Sequence, residues 1–200
     1  MCTNTIWYFS RRVLIAACAL LAAAPLMAGD SRWYIEGKLG EASAAAEFGP
    51  EILGWFVDGE DAKESVEIGY EMHRNLAVQA GYHDLGTYTG QPRPCPPGVI
   101  CPATLVPFHP REVDFKAFSL VVVPQVALTE RVAVYGKLGM LEWDSDVAWF
   151  AGSQGPDPSE RDLLAGIGAR YVFPKGLGVL LEYEDADFLR AASVGASWRF

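Results

Sequence analysis

Eight stretches of this chain alternate in polarity with a period of two, the signature of β-strands that have one apolar and one polar face. WYIEGKLG (33–40) sets Tyr34, Glu36 and Lys38 against Trp33, Ile35 and Leu39. ESVEIGYEM (64–72) opposes Glu67, Gly69 and Glu71 to Val66, Ile68, Tyr70 and Met72, and LAVQAGYHDLG (76–86) opposes Gln79, Gly81 and His83 to Val78, Ala80 and Tyr82. REVDFKAFSLVVV (111–123) alternates through Glu112, Asp114 and Lys116 and then turns apolar on both parities. RVAVYGKLGMLEW (131–143), DLLAGIGARYVF (162–173) and LGVLLEYED (177–185) repeat the pattern, and Ala192, Val194, Ala196, Trp198 and Phe200 alternate with Ser193, Gly195, Ser197 and Arg199. No helical period follows the first 28 residues; EASAAAEFGPEIL (41–53) has some helical propensity, but Gly49-Pro50 interrupts it.

The connections alternate too. HRN (73–75), PQVALTER (124–131) and PKG (174–176) are tight, whereas 41–62, 86–110 and 144–160 are long, polar and rich in Gly, Pro or Asp. Only the link near 186–189 is short where a long one is due. Antiparallel strands with short turns at one end and long loops at the other form an up-and-down meander. An even strand number puts both ends of that meander on the short-turn side.

The first residues carry a different message. MCTNTIWYFSRR has no acid and ends in Arg11-Arg12, VLIAACALLAAA is an apolar run too short for a spanning helix, and PLMA offers Ala28 before a cut. Residues 1–28 therefore read as a helical, cleaved signal peptide, although Leu26 is an imperfect fit at the cleavage site. An uncleaved anchor, a twin-arginine signal (SRRVLI) and a lipoprotein box (IAAC) fit less well. Residues 29–200 form the mature domain. Removing residues 1–28 takes away two arginines and no acids, leaving 14 basic against 25 acidic residues, a formal charge of −11. So acidic a surface argues against a nucleic-acid partner. Two cysteines remain, and CPPGVIC places Cys95 and Cys101 in a Pro-rich segment of an exported chain, where a local disulfide is the default. His109 is the one nearby ligand, too little for a metal site, and no cofactor is expected.

Alternation alone leaves open which face is outside. A soluble barrel is apolar within and polar without, and a membrane barrel is the reverse. The polar parity here holds many glycines (Gly69, Gly81, Gly139, Gly166, Gly168, Gly195) among charged residues, as a crowded narrow lumen requires. The apolar parity carries Trp33, Tyr70, Tyr82, Tyr171, Tyr183, Trp198 and Phe200 near strand ends, where aromatic residues suit a membrane boundary. A Lys or Arg facing lipid at mid-depth costs about 2–4 kcal/mol. The reading is therefore an all-β, eight-stranded antiparallel transmembrane barrel in a Gram-negative outer membrane. Its lumen charges are expected to be Glu36, Lys38, Glu67, Glu71, Lys116, Lys137, Arg170, Glu182, Glu184 and Arg199.

WYIEGKLG, GYEMHRNLAVQAGYHDLG, VALTERVAVYGKLGMLEWDSD, RYVFPKGLGVLLEYE and SVGASWRF together resemble successive strands of the OmpA-like transmembrane barrel, over about residues 33–200. The family's peptidoglycan-binding C-terminal domain has no counterpart in the sequence. The resemblance implies insertion by the outer-membrane barrel-assembly machinery, with Trp198 and Phe200 as the assembly signal. It aligns Gln79, Val122, Arg170 and Leu180 with the charged positions that close the lumen of the family's best-known member; only Arg170 is charged, while Lys137 and Glu182 match lumen charges. An occluded lumen with a different set of ion pairs is the expectation.

The function that follows is a structural or surface-interaction role, without turnover, for a monomer whose partners are outer-membrane lipid and lipopolysaccharide. A narrow porin-like channel is the alternative. A lipid A-modifying enzyme is a third, resting on His73, His83 and His109 with Ser65, Ser119 and Asp84, and no pair of these shows a catalytic spacing.

Overall fold

The computed structural model describes residues 32–48, 55–92, 110–149 and 158–200. Residues 1–28, read from the sequence as a signal peptide, both cysteines of CPPGVIC and His109 lie outside these residues. The strands are β1 (Trp33–Phe48), β2 (Trp55–His73), β3 (Leu76–Tyr88), a short β4 (Gly90–Pro92), β5 (Pro110–Ala127), β6 (Val132–Trp149), β7 (Ser159–Val172), β8 (Leu177–Ala186) and β9 (Leu189–Arg199). Every pairing is antiparallel, each long strand lies beside its predecessor, and β1 pairs with both β2 and β9, closing the sheet. β4 continues β3 alongside β2, so the wall has eight staves. Among the described residues no helix is long and apolar enough to cross a membrane; the spanning elements are strands.

Closure explains the pairing of the last strand. Tyr34 stands opposite Arg199, and the Phe200 N–H donates to the Trp33 carbonyl at 3.4 Å. Neither β1 nor β9 presents an open edge through this part of the wall. Tight connections at Arg74–Asn75, 128–131 and Pro174–Gly176 mark one end of the barrel. At 128–131 the Thr129 hydroxyl accepts from the N–H groups of Arg131 and Val132, at 3.2 and 3.0 Å.

The strands are longer than their alternation suggested. β2 has 19 residues and β5 and β6 have 18 each, against the nine to eleven or so that a tilted strand needs to cross a bilayer. The surplus lies at the end opposite the tight turns. Much of what reads as loop at 41–62 and 144–160 is strand, including EASAAAEF, whose alanines pair across to β2.

Outward residues divide into two zones. Next to the tight turns they are apolar: Leu39, Ile68, Phe118, Leu120, Leu138, Met140, Ile167, Leu181 and Val194 are all exposed. Aromatic side chains border this band, with Trp33 against Tyr70 and Trp198 near Phe200 on the tight-turn side, and Tyr82 against Phe118 on the other. Beyond it the same outward parity becomes charged and mainly acidic: Glu41, Asp58, Glu60, Asp114, Glu142, Asp144 and Asp146. The inward parity changes in the opposite sense, from charged below to apolar above.

Two expectations change with this inversion. Lys116 is exposed and points outward beside Asp146, at 3.0 Å, because β5 turns its odd-numbered residues inward. Its parity is that of Phe118, Leu120 and Val122, so it stands above the apolar band and out of the lumen. Val122, aligned with a lumen position, is outward for the same reason, and Val121 takes the interior place.

Candidate functional site

The lumen is built in layers from one side chain per inward position. At the tight-turn rim Arg199 pairs with Glu71, and Gln125 donates to Glu71 at 3.3 Å and to the Arg74 carbonyl at 3.2 Å. Arg199 is 44% exposed, so this pair is in contact with water. The next layer holds Arg170 paired with Glu36, which also accepts from Gln79 at 2.8 Å. The Arg170 guanidinium lies between two tyrosine rings, 5.0 Å from the centre of Tyr34 and 5.1 Å from that of Tyr135. This arrangement explains two glycines. A Cβ on Gly69 would overlap the Tyr34 ring, and one on Gly168 would overlap that of Tyr135.

Above this lies a knot of six charges. Lys137 donates to Glu67 at 2.7 Å, to Glu182 at 3.0 Å and to Glu184 at 3.3 Å. Lys38 pairs with Glu67 and Glu182, and Lys63 pairs with Glu184. Tyr135 adds its hydroxyl to Glu182 at 2.9 Å. All six side chains are buried, and three cations balance three carboxylates. Burial of unpaired charge would be prohibitive, and reciprocal pairing makes it tolerable. Carboxylate oxygens of Glu67, Glu182 and Glu184 lie within 4.8 Å of one another, a spacing that could hold a cation. Lys38 and Lys137 contact all three carboxylates and supply the positive charge there.

The strands place these groups directly. Glu36 faces Glu67 across β1–β2, a like-charged pair that survives because each carboxylate has a cation of its own. Gly81, Gly166 and Gly195 stand beside the stems of Glu67, Glu184 and Lys38, leaving room for them. Lys63, Ser65, Gln79, His83 and Ser119 are also buried in the polar interior. Lys63 is the lumen cation that a strand beginning at Glu64 leaves out, since β2 runs on through it. The lengthened alternation Lys63–Ser65–Glu67 was the available signal.

Of the residues considered for catalysis, the fold brings His83 and Ser119 together, Nε2 to Oγ at 2.8 Å. His83 Nδ1 has no protein partner, and the near carboxylate, Glu67, approaches Nε2 at 3.8 Å instead. No acid therefore orients the ring from behind, as a triad requires. Asp84 faces outward, and His73 lies at the exposed end of β2. A space of about 10 Å³ beside His83 is bounded by Lys63, Glu184 and four leucines including Leu85 and Leu141; it is room for about one water.

The outer part of the lumen is an apolar plug. Leu85, Val113, Phe115, Leu141, Trp143 and Leu189 are buried there. Phe115 packs edge-on to Trp143 with centroids 5.6 Å apart, and Phe188 sits 4.8 Å from Trp143. The Tyr88 hydroxyl donates to the carbonyls of Leu85 and Ala42 at 2.9 and 3.0 Å, tying β3 across the barrel to β1. A bulge at Leu85, with Gly86 at φ +92°, lets both Leu85 and Tyr88 face inward.

The family model described as the outer membrane protein beta-barrel domain matches residues 14–200. A comparison with curated protein sequences returned no match. Among solved structures, Neisserial surface protein A aligns with a TM-score of 0.55 at 14% identity, covering 86% of this chain and 99% of that one. The N-terminal barrel of Pseudomonas aeruginosa OprF aligns at 0.54 and 12% identity, covering 85% and 98%. OprG of the same organism aligns at 0.55 and 12%, covering 85% and 96%. These likenesses show a shared β-barrel fold. With a family model spanning nearly the whole sequence, the chain belongs to the outer membrane protein β-barrel family.

Proposed function

We propose that this protein is a closed outer-membrane barrel with a structural or surface-interaction role, performing no turnover and passing no solute. The observation that carries the reading is the double filling of its lumen. Buried ion pairs occupy the lower half and a packed aromatic and aliphatic plug the upper half. An eight-stranded barrel has an interior just wide enough for its own side chains. Residues 1–28 direct export, and the final strand, with Trp198 and Phe200, is the segment that the barrel-assembly machinery reads. Outer-membrane lipid and lipopolysaccharide surround the monomer, and its outer loops, including the segment carrying Cys95 and Cys101, meet the exterior.

Planar-bilayer recording of the purified, refolded protein tests this directly. The expected trace matches that of protein-free bilayers. Steady openings of large conductance would establish the porin-like alternative.

A further inference from the structure

The exposed cations of this barrel are partnered at one end and not at the other. At the end opposite the tight turns, Lys116, Arg161 and Arg190 are each paired with a carboxylate, Asp146, Glu142 and Asp185 in turn. At the tight-turn end the balance reverses. Arg74, Arg131 and Lys175 stand one in each tight connection, Arg32 just precedes β1, Arg199 ends β9, and all five are exposed. The side-chain carboxylates at this end, among the described residues, are Glu71, which pairs with Arg199, and Glu130. Arg74, Arg131 and Lys175 form no ion pair among the described residues, although the chain holds 25 acids against 16 bases. Beside each of these cations the chain exposes a large apolar residue: Trp33 next to Arg32, Met72 near Arg74, Leu128 near Arg131, Phe173 and Leu177 around Lys175. Those residues are the lower margin of the apolar band, so the cations fall where lipid chains give way to headgroups. Long basic side chains suit that level, with their stems on apolar surface and their charged heads in water. Lys175 adds a second sign. Its φ of 74° and ψ of 21° are left-handed, a conformation that glycine or asparagine adopts more readily, and the turn carries a lysine there all the same.

We propose that this basic rim selects anionic phospholipids, gathering their headgroups in the leaflet that the tight turns enter. The inference rests on the lipid-embedded barrel proposed above and adds which lipid its turn end prefers. A phosphodiester headgroup without an amine keeps its net negative charge, and a rim of four cations facing little carboxylate attracts it. A zwitterionic headgroup brings a cation of its own, which the same rim repels. Attraction of this kind accumulates with each basic residue near the surface and decays within a Debye length. The proposal is independent of whether the lumen conducts.

The test places the refolded protein in phosphatidylcholine bilayers that contain chain-brominated phosphatidylglycerol or, in parallel, chain-brominated phosphatidylcholine. Bromine quenches indole fluorescence on contact, and Trp33 and Trp198 lie in the wall beside the rim. At low salt phosphatidylglycerol is expected to quench with an apparent affinity about threefold above that of phosphatidylcholine, and about 0.5 M salt is expected to remove the difference. Arg74→Gln/Arg131→Gln/Lys175→Asn should lose the preference. Arg161→Gln/Arg190→Gln, which takes cations from the opposite end, should keep it. Unchanged heat-modifiable gel migration shows that both variants are folded. Equal quenching by the two lipids, a preference that survives salt or the rim substitutions, or one lost equally in the opposite-end variant would each overturn the proposal and leave the embedded barrel standing. Quenching by neither lipid would overturn both.

Discussion

Glu67 illustrates what a single buried charge does in this lumen. It faces Lys38 and Lys137 at once, with almost no contact with water. Removing one member of a buried ionic set leaves its partners charged and under-compensated, which costs about 3–5 kcal/mol. Glu67→Gln should therefore lower the urea midpoint of the refolded protein by an amount corresponding to that loss. Arg199→Ala, which deletes a pair in contact with water, should cost about 1 kcal/mol or less. Equal effects of the two substitutions would show that the knot is no more buried than the rim. Gly69 makes the complementary point about shape: Gly69→Val would drive a side chain into the Tyr34 ring and disturb the seat of Arg170. Its glycine was readable from the sequence as a need for room, but the tyrosine that takes the room was not, because the neighbour across the lumen depends on register.

At the level of the strand, β5 shows where the reading of polarity held and where it failed. Its parity is strict throughout, yet the outward residues run Glu112, Asp114, Lys116 and then Phe118, Leu120, Val122. A rule that sends charged residues inward works while the strand is in lipid and reverses once it emerges. The wall crosses from one solvent to another, and a period of two carries no mark of that crossing. Lys116 was misplaced for this reason, whereas Lys137 and Glu182, well inside the apolar band, were placed by the same rule. The upper strand lengths were hidden too, since Ala42, Ala44 and Ala46 read as weak helix until their pairing with β2 is known. With Cys95 and Cys101 replaced by Ser, cysteines at 116, 117 and 118 should separate the three environments. In intact cells a membrane-impermeant maleimide should label Lys116→Cys and spare Ala117→Cys and Phe118→Cys. Labelling at 117 with protection at 116 would return Lys116 to the interior.

For the molecule as a whole, the barrel is two barrels joined end to end. The lower part has the polarity of a membrane protein, and the upper part has that of a soluble one, with an apolar interior and acidic walls. The eight staves, their order and the outward lipid face were legible from alternation and connection length. The upper core was not, because Phe188, in the turn between β8 and β9, reaches Phe115 and Trp143 of the paired strands β5 and β6 only when the sheet curls closed. Truncating Trp143 to Ala should cost about 3–5 kcal/mol, the usual loss for a large aromatic residue in a packed core, measured as a lower urea midpoint. An unchanged midpoint would mean that the upper interior is loosely filled.

The central claim is the level at which β6 leaves the lipid, and spin labels along its outward face measure it. With the protein in lipid bilayers, labels at Leu138 and Met140 should be relaxed by dissolved oxygen and shielded from a water-soluble nickel complex. Labels at Asp144 and Asp146 should show the reverse, with the change falling near Glu142. Accessibility to nickel at Leu138 and Met140 equal to that at Asp146 would contradict the account, since the apolar wall would then face water.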